Sequence, residues 1–165
     1  MVAEEVSLEM RSHLQKNREL AEEDALPSSW VLTELQSVYE IVGGGTPSTD
    51  NESFWGGSTA WITSADIDGP REISPRRTVT DEGIANSSTH RVPSGSIIVA
   101  TRVSLGNVAI TDQPLCFSQD CQALVDESEH ILPEYTVYYL TQAAEHFIHE
   151  SRGTTISGIT KKKLA

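Results

Sequence analysis

The sequence predicts an α+β (mixed α/β) fold: a single compact domain with several short strands, a C-terminal helix and an N-terminal helical appendage. Short apolar, β-branched runs follow one another between residues 96 and 125, with turn-forming residues between them. A stretch after Pro133 repeats apolar residues at helical spacing. No β-α unit recurs along the chain, which argues against a doubly wound parallel sheet.

Taken in order, residues 4 to 24 predict a helix. Val6, Leu8, Leu14 and Leu20 stand among Glu, Arg, Lys and Gln with no Gly or Pro inside. The apolar stripe is thin, so residues 1–26 are assigned to an appendage or linker and residues 27–165 to the domain. Ser28 or Ser29 is placed to cap a short helix carrying Val31, Leu32, Leu35 and Val38, broken by Gly43. The triple glycine that follows predicts a tight turn needing positive φ. "AWITSADI" (60–67) predicts a strand running into a turn. "ISPRRTVTDEGIANSSTHRVPSG" (73–95) predicts a polar, turn-rich surface excursion. "SIIVATR", "GNVAIT" and "CQALVD" predict three further strands. "EYTVYYLTQAAEHFIHESR" predicts the main helix, with Val137, Leu140, Ala144, Phe147 and Ile148 on one face and Gly153 as its stop.

Composition bounds the function. The 165 residues are 38% hydrophobic and 22% charged, as in a globular domain. Apolar runs such as Ile97-Ile98-Val99-Ala100 are far too short to span a bilayer, and acidic residues near the N-terminus contradict a signal peptide. The expectation is a cytoplasmic protein with no membrane partner. Cys116 and Cys121 are expected to be reduced, buried strand residues rather than a disulfide or zinc pair.

The net charge of −12 opposes nucleic acid as a partner, because phosphate contacts need Lys and Arg. The distribution of the cations softens that objection. Outside the first eighteen residues they fall in two patches: Arg71, Arg76, Arg77, Arg91 and Arg102, then Arg152 with Lys161, Lys162 and Lys163. Such segregation is compatible with one basic face on an acidic body.

Catalytic patterns are missing. "GGGTPST" lacks the Lys-Ser/Thr ending of a phosphate-binding loop and the GxGxxG spacing of a dinucleotide fold. No G-x-S-x-G elbow occurs. His146 and His149 lie at i, i+3 but continue into no known zinc pattern, so no metal site is assigned. Polar loops on a scaffold remain, which is what a reader of DNA needs. Base edges are read by Arg, Asn, Gln, Ser and Thr, and phosphates by the same groups. The candidate DNA-binding residues are Arg71, Arg76, Arg77, Asn86, Ser87, Ser88, His90, Arg91, Arg102, Arg152, Thr154, Thr155, Lys161 and Lys162. Arg102 suits a phosphate contact or a buried ion pair equally. Gly44, Gly45, Thr46 and Ser48 are assigned to a backbone contact or a scaffold turn.

Six pieces in order carry a resemblance: "GGTPS", "FWGGSTAWITSADI", "TDEGIANSSTHRVPSGSIIVATR", "GNVAI", "CQALV" and "GTTISGITKKKL". From about Pro27 to Leu164 the chain resembles a target recognition domain of the specificity (S) subunit of type I restriction-modification enzymes. The resemblance implies a mixed α/β module that reads one half of a bipartite double-stranded DNA target without catalysing anything. It also implies assembly with a modification (methyltransferase) subunit and, through it, the restriction subunit. S-adenosylmethionine, ATP and magnesium then belong to those partners, and this chain carries no cofactor. The chain holds one such domain where the full subunit usually carries two. A half-subunit pairing with a second recognition domain or with itself, a fragment and a truncated remnant all stay open. Sequence readers must differ between members while "GGTPS" is constant, so the excursion from Arg71 to Arg91 is the better place for readout. An acidic decoy that occupies a methyltransferase without touching DNA is the alternative.

Overall fold

The computed structural model describes residues 33–126 and 131–151, with backbone alone for residues 145–151. The chain divides into two units, 1–37 and 38–165. The described part of the first is a 3-10 turn, Leu35–Ser37, closed by the Ser37 N–H on the Glu34 carbonyl at 3.0 Å. The helix expected through Leu35 and Val38 is therefore corrected. Tyr39 and Ile41 are buried while Glu40 is exposed, a period of two, and Glu40–Gly43 forms strand β1. The expected helix over 4–24 and its neighbours Ser28 and Ser29 lie outside the described residues.

The second unit is built on a four-stranded antiparallel sheet in the order β1-β9-β6-β7. Its members are β1, β6 (Ile97–Ala100), β7 (Val108–Ile110) and β9 (Cys121–Val125). The three expected strands are all present, but sequence neighbours do not simply pair. The first strand of the chain joins the last, with Glu40 opposite Val125. A three-stranded sheet, β5-β2-β8, stands beside it. Strand β2 (Trp55–Ile62) pairs antiparallel with β5 (Arg77–Val79) and parallel with β8 (Leu115–Phe117). Strands β3 (Ile67–Gly69) and β4 (Glu72–Ile73) make a small hairpin between them in sequence.

Strands β2 and β8 are apolar on both faces, as expected of a parallel pair covered on each side. Ala60, Ile62, Leu115 and Phe117 point into the main core with Ile67, Val92, Ile98, Ala109, Cys121 and Ala123. The alternate residues Trp61 and Cys116 form a second, smaller cluster with Val79, flanked by Trp55 and Ile84. Burying side chains the size of Phe117 or Ile62 contributes about 1.5–3 kcal/mol each. The main helix, α2 (Pro133–Ser151), packs on β7 of the four-stranded sheet and buries Val137, Leu140 and Ala144. Tyr39 of the unit and Thr136 of the helix share a buried hydroxyl–hydroxyl bond of 2.8 Å.

The excursion over 73–95 is more ordered than expected. It contains β5 and a short helix, α1 (Asp81–Ala85), whose first turn is capped by Thr80 accepting from the Gly83 N–H at 3.1 Å. Asp81 and Glu82 sit in that first turn, where the helix dipole favours them. The triple glycine also differs from expectation. Among the described glycines, positive φ occurs at Gly56, Gly95 and Gly106, not at Gly43, Gly44 or Gly45. Gly44 and Gly45 are required for close approach instead. A Cβ on Gly44 would strike the Phe117 ring at 2.5 Å and the Phe117 carbonyl at 2.8 Å. On Gly45 it would strike Ser88 and the Thr89 nitrogen at 2.6 Å.

Candidate nucleic-acid interface

The Gly-Thr-Pro-Ser loop is seated on the end of β8. The Gly45 N–H donates to the Phe117 carbonyl at 2.9 Å, and the Thr46 hydroxyl donates to Gln119 Oε1 at 2.5 Å. Two indoles hold it from below: Trp61 Nε1 donates to the Gly45 carbonyl at 3.1 Å, and Trp55 Nε1 to the Ser48 carbonyl at 3.0 Å. The segment after α1 closes the other side. Thr89 Oγ1 donates to the same Phe117 carbonyl at 3.0 Å, and His90 Nδ1 meets the Gly43 carbonyl at 3.0 Å. Two segments about forty residues apart in sequence thus form one surface, because glycines let their backbones touch.

The sequence-derived candidates sort into those on this surface and those elsewhere. Gly44, Gly45, Thr46, Ser48, Ser88, His90 and Arg91 surround it, and Arg77 lies on the same face of β5 as the Trp61 side of β2. Thr46 and Ser48 are both exposed, and the Thr46 hydroxyl is engaged by Gln119. Asn86 and Ser87 are occupied with α1: Asn86 Nδ2 donates to the Glu82 carbonyl at 2.9 Å and Ser87 Oγ to the Gly83 carbonyl at 2.7 Å. These two close the C-terminal end of the helix, with Asn86 exposed and Ser87 half-buried.

The arginines differ more sharply. Arg71 pairs with Glu134 at the start of α2. Arg76 donates from Nε to Asp66 Oδ1 at 2.5 Å and from Nη2 to the Ala65 carbonyl at 2.8 Å. Asp66 is buried and also accepts from the Thr63 N–H at 2.7 Å and the Thr63 hydroxyl at 2.9 Å, a capping box that fixes the 3-10 turn Ser64–Asp66. Arg91 donates to Asp81 Oδ1 at 2.5 Å and to the buried Thr59 hydroxyl at 2.7 Å. Arg102 stands exposed on the β6–β7 loop, so of its two expected roles the buried ion pair is corrected. Arg152, Thr154, Thr155, Lys161 and Lys162 lie outside the described residues.

Arg77 is held differently. Its guanidinium carbon lies 3.5 Å from the Trp55 ring centroid and 5.9 Å from that of Trp61. The two indoles meet edge to face, with centroids 5.1 Å apart and planes at 87°. Trp55, Trp61 and Thr59 were not singled out by sequence reasoning. The signal lay in the Trp-Gly-Gly and Ala-Trp steps, which become informative only once β5 is known to lie against β2.

Charges near the site follow from burial and pairing. The Cys116 thiol, under the Trp61 cluster, is pushed up to about 11, chiefly by burial and against the opposing pull of Arg91. Burial also raises the Cys121 thiol, and both cysteines are free. The Glu134 carboxyl is held below its usual range, first by its own backbone N–H and then by Arg71. No three His, Cys, Asp or Glu side chains gather as a metal site among the described residues.

Comparison with known proteins places this architecture. The model of a family described as the type I restriction modification DNA specificity domain matches residues 27–165. The type I restriction enzyme MjaIX specificity subunit of Methanocaldococcus jannaschii is 29% identical over 148 residues, covering 84% of this chain and 34% of that protein. The EcoR124I/EcoR124II specificity subunit of Escherichia coli is 30% identical over 137 residues, covering 79% and 34%. The chain therefore spans about a third of the length of the curated relatives it matches. Among solved structures, a chain from work on assembly and conformational transition of the type I R-M system matches at TM-score 0.68 and 20% identity, covering 96% of this chain and 39% of that one. The HsdS subunit from Thermoanaerobacter tengcongensis matches at TM-score 0.60 and 20% identity, covering 98% and 40%. At those identities the structures bear on the fold alone, and they agree with the mixed α/β architecture described above.

Proposed function

The chain belongs to the type I restriction modification DNA specificity domain family, and from that premise we propose that it reads one half of a bipartite duplex target. In this role it is a recognition component, not a catalyst. It directs adenine methylation and cleavage carried out by modification and restriction subunits, and it works in the cytoplasm. S-adenosylmethionine, ATP and magnesium are assigned to those partners, and a second recognition domain or a second copy supplies the other half-site. The observation that carries the reading is the family match over residues 27–165. The surface formed by the Gly-Thr-Pro-Ser loop, the 88–91 segment and Arg77 supports it, because it presents polar groups and one stacked cation on rigid strands. Fluorescence anisotropy of the full chain with a randomised duplex pool tests it. Binding that weakens as salt rises is expected. No binding at low salt, with or without a partner methyltransferase subunit, overturns it.

One observation favours a second reading. The net charge is −12, and Arg71, Arg76 and Arg91 are already matched to the protein's own carboxylates. An acidic decoy that binds the methyltransferase subunit without DNA fits that balance. Capture of the methyltransferase subunit with no duplex binding in the same assay is the outcome this second reading requires.

A further inference from the structure

Three of the five arginines in the described residues are consumed by ion pairs, and Arg77 is set apart from them by how it is held. Its immediate neighbour Arg76 reaches the opposite way, into the Asp66 turn. Arg77 has no carboxylate partner among the described residues. It lies exposed over the face of Trp55 at 3.5 Å. Stacking there fixes the plane of the guanidinium while leaving its edge and its N–H groups directed away from the ring.

Trp55 is itself fixed in three ways. Its Nε1 is tied to the Ser48 carbonyl at 3.0 Å. Its ring meets the buried Trp61 edge to face. Its backbone lies at a register irregularity in β2, where Trp55 and Thr59 both oppose Val79. Such a bulge turns a side chain to a position that regular pairing would deny it. The platform therefore cannot rotate without breaking the seat of the Gly-Thr-Pro-Ser loop. A side chain as long as arginine normally loses considerable rotamer freedom on binding. Here the folded domain has already restricted it.

We propose that Trp55 is a positioning residue that pre-orients Arg77, and that Arg77 is the arginine that engages a paired-acceptor edge of duplex DNA. The chemistry recognised is two acceptors side by side: either O6 and N7 of a guanine or two oxygens of one phosphate. A planar fork of parallel N–H groups matches both, and a lysine ammonium matches neither as well. This inference rests on the DNA-reading function proposed above.

The test uses the full chain and a fluorescein-labelled duplex selected from the randomised pool. Variants are Arg77→Ala, Arg77→Lys, Trp55→Leu, Trp55→Phe and the double variant Trp55→Leu/Arg77→Ala, each first checked for folding by urea denaturation. Arg77→Ala is expected to weaken binding roughly 5- to 150-fold, the equivalent of one good bidentate contact. Arg77→Lys should restore little of it. Trp55→Phe keeps an aromatic face and should retain most of the affinity, while Trp55→Leu should lose it. The double variant should bind no more weakly than Arg77→Ala alone, because the platform acts only through the arginine. Additive losses in a folded double variant, or unchanged affinity in Arg77→Ala, overturn the proposal. If wild-type chain binds no duplex at all, it is the underlying DNA reading that has failed. The source of the acceptors separates within a positive result. A loss confined to one guanine position, mimicked by 7-deazaguanine there, identifies a base edge. A loss equal across sequences, with the salt slope reduced by about 0.9, identifies a phosphate.

Discussion

Three adjacent glycines make a stringent test of the packing around the Gly-Thr-Pro-Ser loop, because the structure assigns each a different constraint. Gly43 ends β1 with nothing within 4 Å of a would-be Cβ and no positive φ. Gly43→Ala should therefore be neutral or stabilising by about 0.4–1 kcal/mol, through the reduced freedom of the unfolded chain. At Gly44 the same methyl meets the Phe117 ring and backbone and the Ser118 carbonyl. At Gly45 it meets Ser88 and the Thr89 nitrogen. Most of those obstacles are backbone atoms of packed segments, and Phe117 is fully buried, so relief requires moving whole segments rather than one rotamer. Overpacking of that kind costs about 1–3 kcal/mol and occasionally more. The hydrogen bonds from Gly45 N–H to Phe117 and from Trp61 Nε1 to Gly45 would be stretched in the same movement. With a urea dependence of about 2 kcal/mol per molar, a loss of 2–3 kcal/mol lowers the unfolding midpoint by about 1–1.5 M. Equilibrium urea unfolding followed by tryptophan fluorescence reads this directly, since Trp55 and Trp61 are both bonded to the loop. Midpoints for Gly44→Ala and Gly45→Ala equal to that of Gly43→Ala would refute the close approach. The assignment of the loop as a seat for the 88–89 segment would fall with it.

Asp66→Asn removes the charge from a carboxylate that serves Thr63 twice and Arg76 once, so it should cost about 1–3 kcal/mol. Arg76→Gln should cost less, about 1 kcal/mol or below, because that side chain is 67% exposed and water can replace it; the two urea midpoints compare them. The Cys116 thiol, pushed up to about 11 by burial, should be unreactive toward a disulfide reagent at pH 8 until the chain is unfolded. Its folded value lies above the unfolded one, so its contribution to stability is complete below about pH 9 and is lost as pH rises toward 11. A urea midpoint that rises between those two pH values would contradict the buried thiol.

Local signals made the centre of the domain legible. Ile97–Ala100, Val108–Ile110 and Cys121–Val125 were readable as strands because each is apolar and flanked by turn residues. The main helix was readable because Val137, Leu140 and Ala144 keep one face over several turns. Pairing was not readable. Nothing local tells that Glu40 lies opposite Val125, and without that partner "VYEIVG" has helical and extended readings of similar merit. Strand β5 and helix α1 were hidden for a related reason. Arg-Thr-Val is only three residues, and its single buried side chain, Val79, finds its neighbours on β2 and in the second cluster. The Thr80–Asp81–Glu82 cap was present in the sequence, but a five-residue helix has too few turns to show periodicity. The glycines were misread because a missing Cβ serves either backbone torsion or close approach, and only the partner segment distinguishes them.

The same distinction governs the candidate site. Arginines 71, 76, 77, 91 and 102 look alike as letters, and counting them as one basic patch overstates the attraction for phosphate. Arg71, Arg76 and Arg91 each face a carboxylate of the domain, so any anion must displace Glu134, Asp66 or Asp81 to reach them. Asp66 is buried and bound to Thr63, so it cannot swing aside, and Arg76 is the most firmly committed of the three. Asp81 is 87% exposed and its bond to Arg91 is open to competition by solvent ions. Arg77 needs no displacement at all, since its partner is an aromatic face that leaves the donors unspent. In a chain of net charge −12, long-range attraction is weak and selectivity must come from short-range geometry. A guanidinium held flat on an indole supplies such geometry at one point. The order of commitment is then Arg76, Arg91 and Arg77, from structural to readily available, and it follows from their partners rather than from their charge.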